Sequence, residues 1–418
     1  MVRGGSVNPF LSAHFPGTGG LIKETPEDFE VEELPLYTPC GNGEHLYLFI
    51  EKKGLTTLEA LRHLAQAFQV RERDLGYAGL KDARALTRQW ISVPGGRREQ
   101  LAGLNVPGLG VLEADYHRNK LRLGHLAGNR FRIRIRGVAD DALEVARDVL
   151  HVLTQVGVPN YFGEQRYGVL NNNHRVGQAL VAGDFAEAAR QILGDPQSIQ
   201  DRRWRLAAQA FWEGDFATAL NALPRRMADE RRLVAALRDG ADARQAVLGF
   251  PRRKLRLFLS ACQSWLFDRL VAMRLGSLDV LWAGDLAYIH GKGACFSVED
   301  PSREQPRADR FEISPSGPLF GTKVRLATAQ AGLLEESLLE HARLRLESFR
   351  LPAGLTMEGE RRPLRVPLGQ AEVTPLADAL EVSFELPRGS YATSVIREII
   401  KGDAPGTPQD SAPSKQNV

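Results

Sequence analysis

The sequence predicts an α+β chain of two parts, on three observations. Its 418 residues are more than one hydrophobic core usually serves. The first 160 residues interleave short strand-like runs with amphipathic helical ones. After Asn160-Tyr161-Phe162-Gly163 the texture turns mostly helical to about residue 275, and strands and turns then return.

Each element has its own signal. Phe29-Glu30-Val31-Glu32 and Leu46-Tyr47-Leu48-Phe49-Ile50 read as strands between Pro- and Gly-rich turns. Thr56 and Glu59 form a capping box, and Leu58, Leu61, Leu64, Ala65 and Phe68 make one apolar stripe of the helix that follows. Thr87 to Val93 reads as a strand. Lys120, Arg122, Arg132, Arg134 and Arg136 alternate with Leu121, Leu123, Phe131, Ile133 and Ile135, which predicts a hairpin with its bases on one face. Residues 140–156 carry a helical stripe of Leu143, Ala146, Leu150 and Leu153. Arg202-Arg203, Arg225-Arg226, Arg231-Arg232 and Arg252-Arg253-Lys254 fall in the helical middle. Leu380 to Leu386 reads as a strand and Ser390 to Lys401 as a helix, and the polar, Pro/Ser-rich stretch after it as a disordered tail.

Composition narrows the function. Hydrophobic residues make up 43% and charged residues 25%, as in ordinary soluble proteins. No apolar run is long enough to span a bilayer, and Met1 to Gly20 lacks the order of a signal peptide, so a cytoplasmic protein without a membrane partner is expected. Cys40, Cys262 and Cys295 are odd in number and far apart, and the nine histidines are scattered. That disfavours a zinc site, a disulfide framework and a metal enzyme. A net charge of +3 does not by itself name a nucleic acid. The arginine clusters suit phosphate, but acids interleave them, and a salt-bridged surface explains them equally well.

The most informative stretch is Ala78-Gly79-Leu80-Lys81-Asp82-Ala83-Arg84-Ala85-Leu86-Thr87-Arg88-Gln89. Judged by residue type alone, Asp82 is best read as the cap of a short turn from Ala83 to Leu86.

That stretch closely resembles the nucleophile motif of the TruD family of tRNA pseudouridine synthases. Lys23 with Pro26-Glu27-Asp28-Phe29 and Glu33 looks like the family's N-terminal motif. Gly128-Asn129-Arg130-Phe131 is similar to its Asn-x-Phe motif. Val158-Pro159-Asn160-Tyr161-Phe162-Gly163-Glu164-Gln165-Arg166-Tyr167-Gly168 resembles the lead-in to its inserted domain, and Ser314 to Gly321 a turn within it. Leu386-Pro387-Arg388-Gly389-Ser390-Tyr391-Ala392-Thr393-Ser394 matches its C-terminal signature. The six blocks run in family order from about residue 21 to 400.

The resemblance implies a pseudouridine synthase-like catalytic domain with a mixed, largely antiparallel sheet drawn from both ends of the chain, plus an inserted α/β TRUD domain. It implies domains at 1–159 with 371–403 and at 160–370, followed by a tail at 404–418. It implies isomerisation of uridine, at tRNA position 13, with no cofactor, no metal and tRNA as the partner. A monomer is compatible with it. Asp82 is then the catalytic carboxylate, and attack on carbon or removal of a ribose proton both require its ionised form. Lys23 is the better cationic partner, because the adjacent Lys81 points the other way on an extended segment. Phe29, Phe131 and Tyr391 are placed near the base, with Asn129 bonding to it or its sugar; core packing and turn formation are the plainer roles for Phe29, Phe131 and Asn129. The basic hairpin face and the helical arginines are expected to meet phosphate. The rival functions are the same reaction at another RNA site and a silent tRNA-binding or tRNA-folding protein. Two features depart from the family pattern. The chain is long, with its surplus around 200–250 and 335–370, and Asp268 stands where the pattern has an asparagine.

Overall fold

The computed structural model describes residues 8–401, so the tail expected at 404–418 lies outside the described residues. These residues form two compact units. One holds Phe10–Val158 and the chain from Val366 onward, and the other holds Pro159–Arg365 with residues 8 and 9.

The first unit runs β1 (Phe29–Pro35), β2 (His45–Lys52), α1 (Thr57–Phe68), β3 (Gly76–Tyr77), β4 (Leu86–Pro94), β5 (Leu109–His117), β6 (Leu126–Arg136) and α2 (Ala142–Val156). The second unit then intervenes with seven helices: α3 (Asn173–Ala182), α4 (Phe185–Leu193), α5 (Arg202–Trp212), α6 (Phe216–Ala222), α7 (Ala228–Arg238), α8 (Ala243–Leu248) and α9 (Arg252–Met273). It continues with β7 (Leu286–Ile289), β8 (Ala294–Ser297), α10 (Pro301–Asp309), β9 (Ile313–Leu319), α11 (Ala329–His341) and β10 (Glu360–Pro363), whose strands form an antiparallel sheet in the order β10-β9-β7-β8. The first unit is completed by β11 (Gly369–Pro375), β12 (Ala379–Pro387) and α12 (Ala392–Ile400).

Among the described residues the large sheet has the order β11-β12-β6-β1-β4-β2-β5, with β3 beside β4. Only β1 and β4 pair in parallel; the other pairs are antiparallel. The sheet is therefore mixed, largely antiparallel, and built from both ends of the chain.

Local signals account for most of these elements. Thr56 caps α1 by accepting from the Glu59 N–H, and the Glu59 carboxylate accepts from Thr56 in return. Leu61, Leu64, Ala65 and Phe68 are buried, whereas Leu58 faces water. The expected hairpin is not formed. β5 lies at the sheet edge against β2, while β6 lies between β12 and β1, so residues 118–125 are a connection. Leu123 is 69% exposed, and the Lys120 ammonium donates to the Arg73 carbonyl. Alternation reports which face a side chain takes and says nothing of which strand pairs with which.

Register puts Phe29, Val31, Phe131, Ile133 and Ile135 on one face together with Thr87, Gln89, Ile91, Leu46, Leu48, Ile50 and Lys52. That face carries two apolar cores. Helices α2 and α12 cover the β1-β6-β12 half, and α1 covers the β2-β4 half. Where the halves meet, the same face presents Lys52, Thr87, Gln89 and Glu33, all buried. In this dry strip Lys52, Gln89 and Glu33 Oε1 are hydrogen-bonded, Glu33 Oε2 has its ion pair with Lys81, and Thr87 Oγ1 has no hydrogen-bond partner among the described residues.

The approach to β1 is anchored by Asp28. Its carboxylate accepts from the Thr25 N–H and receives the Arg136 guanidinium on both oxygens. Burial pushes its pKa up, but the Arg136 and Thr25 donors outweigh this and hold it below the ordinary carboxylate range. Its stabilising contribution is therefore present at neutral pH and lost as pH falls through that depressed value. Asp28→Ala should lower stability by roughly 1–2 kcal/mol, because the Thr25 N–H loses its acceptor and Arg136 one of its carboxylates. Urea unfolding at neutral pH checks this, and the gap from wild type should close in acid.

Candidate active site

The segment Gly79-Leu80-Lys81-Asp82 leads from β3 into β4 and is held by the buried polar strip. The Gly79 carbonyl accepts from Gln89 Nε2 at 3.1 Å. The Lys81 N–H donates to Thr57 Oγ1 at 2.9 Å, and that hydroxyl donates to Gln89 Oε1 at 2.9 Å. Lys52 Nζ donates to the carbonyls of Leu55 at 2.7 Å, Asp82 at 3.0 Å and Lys81 at 3.2 Å. Gly76 begins the segment because a Cβ there would lie 2.2 Å from the Leu121 carbonyl oxygen.

Asp82 divides its carboxylate between two jobs. Oδ1 accepts from the Arg84 N–H at 3.0 Å, which is the turn cap that residue type suggested. Oδ2 meets Lys23 Nζ at 3.0 Å. The side chain remains 44% exposed and open to a substrate. Burial pushes its pKa up, but the Arg84 N–H, Lys23 and the charge on Lys52 together hold it below the ordinary value. The carboxylate is thus ionised at neutral pH.

Lys23 is posed for this contact at a cost. Its φ of 62° lies in the left-handed region, which side chains other than glycine's seldom adopt. Its ammonium also sits 4.2 Å from the Phe29 ring centroid. Lys81 points away from the Asp82 carboxylate. Its Nζ donates to Asn129 Oδ1 at 2.7 Å and pairs at 3.5 Å with buried Glu33, which accepts from the Trp90 N–H. The lysine donor settles which end of the Asn129 amide is oxygen and leaves its NH2 group for an acceptor.

Lys23, Phe29 and Asp82 are thus joined by direct contact, and Asn129 is joined to them through Lys81. Phe131 lies edge-on to Phe29 at 6.3 Å and packs against Phe384 at 5.4 Å. Phe29 and Phe131 are both 6% exposed and belong to the α2/α12 core. Tyr391 precedes α12 and is 36% exposed. Lys52, Thr57 and Gln89 were not recognised from sequence. The signal that could have found them was present: three polar residues at positions where the strand and helix periods demand burial.

The predicted basic face of β6 is corrected by the structure. Arg130 pairs with Glu32 and Glu385, Arg132 with Glu30 and Glu381, Arg134 with Glu381, and Arg136 with Asp28 and Asp378. The acids come from β1, from β12 and from the segments beside them, which run alongside β6. This face is a charge-balanced lattice and not an open phosphate surface. Arg202, Arg203, Arg225, Arg252 and Arg253 of the second unit are exposed. Among the described residues, no group of three His, Cys, Asp or Glu side chains could hold a metal, and no helix is long and apolar enough to cross a membrane.

Asp268 of α9 is buried and accepts from the Phe162 N–H at 2.9 Å and the Tyr167 hydroxyl at 2.5 Å. Burial pushes its carboxyl up to about 7. It accepts from two residues of the lead-in block, one on each carboxylate oxygen, where an asparagine would have a single oxygen to offer.

Fold and site together present one exposed aspartate, held ionised, from a hydrogen-bonded loop where two helix-covered halves of a sheet meet. The family model described as tRNA pseudouridine synthase D (TruD) matches residues 8–399. A tRNA pseudouridine synthase D of Syntrophotalea carbinolica is 57% identical over 394 residues, covering 94% of this chain and 99% of that one. Another, from Geobacter sulfurreducens, is 52% identical over 96% of this chain and 98% of its own. A Methanosarcina mazei crystal structure whose description also names TruD superposes with a TM-score of 0.82 at 26% identity, over 95% of this chain and 96% of that one. The chain belongs to the tRNA pseudouridine synthase D (TruD) family. Its length is shared with the two bacterial relatives, which it covers almost completely.

Two outcomes follow from the electrostatics. Lys23→Met removes a neighbour that lowers the Asp82 pKa, so the acid limb of the pH–rate profile should move to higher pH; an unmoved limb would refute the assigned pairing. For Asp268, the folded pKa lies above the unfolded one, so its contribution is full in acid and lost as pH rises through about 7. Asp268→Asn should flatten the fall of thermal stability across that range, as read by melting curves at several pH values.

Proposed function

We propose that this chain isomerises uridine to pseudouridine in tRNA, at position 13, with Asp82 acting on the target ribose. The observation that carries the reading is the exposed, ionised Asp82 carboxylate on a loop whose Gly79, Lys81 and Asp82 peptide groups are held by buried side chains. The reaction breaks the bond from ribose to uracil N1, turns the base, and joins C5 to the same ribose carbon. No atom is gained or lost, so the chemistry calls for no redox or metal partner. A carboxylate can serve it by attack on carbon or by taking a ribose proton, and both routes need the charge that Arg84, Lys23 and Lys52 maintain.

A uridine inside folded tRNA must leave its stack to reach such a group. Tyr391 offers a partly exposed ring, while Phe29 and Phe131 pack behind the site in the core. Asn129 has N–H donors for a uracil or ribose oxygen. The domain roles follow: Phe10–Val158 with the chain from Val366 is the catalytic domain, and Pro159–Arg365 is the inserted TRUD domain. The exposed arginines of the second unit suit the phosphate backbone. The reading takes the enzyme as cytoplasmic.

Tritium release from tRNA labelled at uridine C5 tests it. Asp82→Ala should abolish release, a loss of at least about 1,000-fold, while retaining most tRNA binding. Equal release from both proteins would sink the mechanism. Mapping the modified position in tRNA from cells lacking this protein separates position 13 from another RNA site.

A further inference from the structure

Lys52 is the last residue of β2, and its side chain is completely buried. An ammonium has three N–H donors, and here three backbone carbonyls take them: Leu55, Lys81 and Asp82. Among the described residues no carboxylate lies within 4.0 Å of it to balance the charge, because Asp82 offers it a backbone oxygen while directing its own carboxylate to Arg84 and Lys23. A dry cation without a paired anion is an expensive way to satisfy carbonyls. A neutral amide could donate to two of them at lower cost. What the cation adds is a fixed positive field beside Asp82, together with a grip on the two peptide units that carry its Cα.

We propose that Lys52 is a positioning residue of the reaction, whose buried ammonium grips the Lys81 and Asp82 carbonyls and thereby sets the aim of the Asp82 carboxylate. This rests on the reading of Asp82 as the reacting group. The coupling is mutual. Lys52 lowers the Asp82 pKa, and the Asp82 anion favours the charged form of Lys52. The other charges acting on Lys52 are Lys81, which opposes its protonation and is paired with Glu33, and Glu59 at the start of α1, which favours it. Burial dominates and brings Lys52 down to about 8. Above that pH the amine holds one hydrogen fewer, so one carbonyl is released and the field at Asp82 is lost.

The test uses the full chain with wild type, Lys52→Gln, Lys52→Arg and Asp82→Ala. It reads single-turnover pseudouridine formation across pH, tRNA affinity and melting temperature. Lys52→Gln keeps two donors without the charge. It should slow the chemical step about 100-fold, the scale of a small misplacement of a reacting group, with tRNA affinity unchanged. The wild-type rate should fall as pH rises through about 8. Lys52→Arg, whose charge does not titrate there, should recover part of the rate and lose that alkaline fall. A folded Lys52→Gln enzyme with the wild-type rate, showing only a lowered melting temperature, would overturn the proposal. So would a wild-type rate that stays level well above pH 8, and this arm needs no variant to fold. Activity in Asp82→Ala would instead overturn the reading of Asp82, which keeps the two failures apart.

Discussion

A peptide group removed from water must find a hydrogen-bond partner, and around Asp82 that requirement organises everything else. The peptide groups of Gly79, Lys81 and Asp82 are satisfied by Gln89, Thr57 and Lys52, side chains that the sheet and α1 bury together. None of those three touches the exposed part of the carboxylate. They fasten the loop that carries Asp82, because its backbone is held by side chains that are themselves packed. The capping box of α1 belongs to the same arrangement, because it sets the helix start from which Thr57 reaches the loop.

The same sheet shows how charge is handled on its two faces. On the face with the helices, few charges are present and each has a specified partner, so their fields act strongly in a dry setting. Lys81 is spent on Asn129 and Glu33, which leaves Lys23 and Lys52 as the cations that act on Asp82. On the opposite face Arg88, Arg130, Arg132 and Arg134 alternate with Glu30, Glu32, Glu51, Glu381 and Glu385 in a partly exposed network. Ion pairs in that setting contribute little each. Their chief consequence is to remove the net positive field that an RNA backbone would seek.

The second unit obeys the same rule by a different route. The lead-in block from Val158 to Gly168 ends in a short turn of helix, and the buried Asp268 holds it by the Phe162 N–H and the Tyr167 hydroxyl. An asparagine would have one neutral oxygen for these two donors, with an NH2 group at its other end. The aspartate meets them with a carboxyl that burial has brought close to neutral at physiological pH. The aspartate thus gives this turn two acceptor oxygens together with a stability that depends on pH.

Much was legible in the residues alone. Thr56 and Glu59 announced α1, the alternation from Phe131 to Ile135 announced a strand with one apolar face, and six ordered blocks announced the family. These are local facts: a cap, a period, a run of side chains, each decided within a few residues. Even the divergence of Lys81 from Asp82 followed from the geometry of neighbouring side chains on extended backbone. Partnership across the sheet was not local. Only the tertiary structure joined β6 to β1 and β12, which turned a row of arginines into a neutral lattice and undid the expected hairpin. Only it brought the end of β2 under the loop before β4, so that Lys52 met two carbonyls about thirty residues further along the chain. The sequence determined that a carboxylate would stand at position 82 in a turn. The fold decided which groups hold it charged and still, because pairing and burial depend on neighbours that chain order does not reveal.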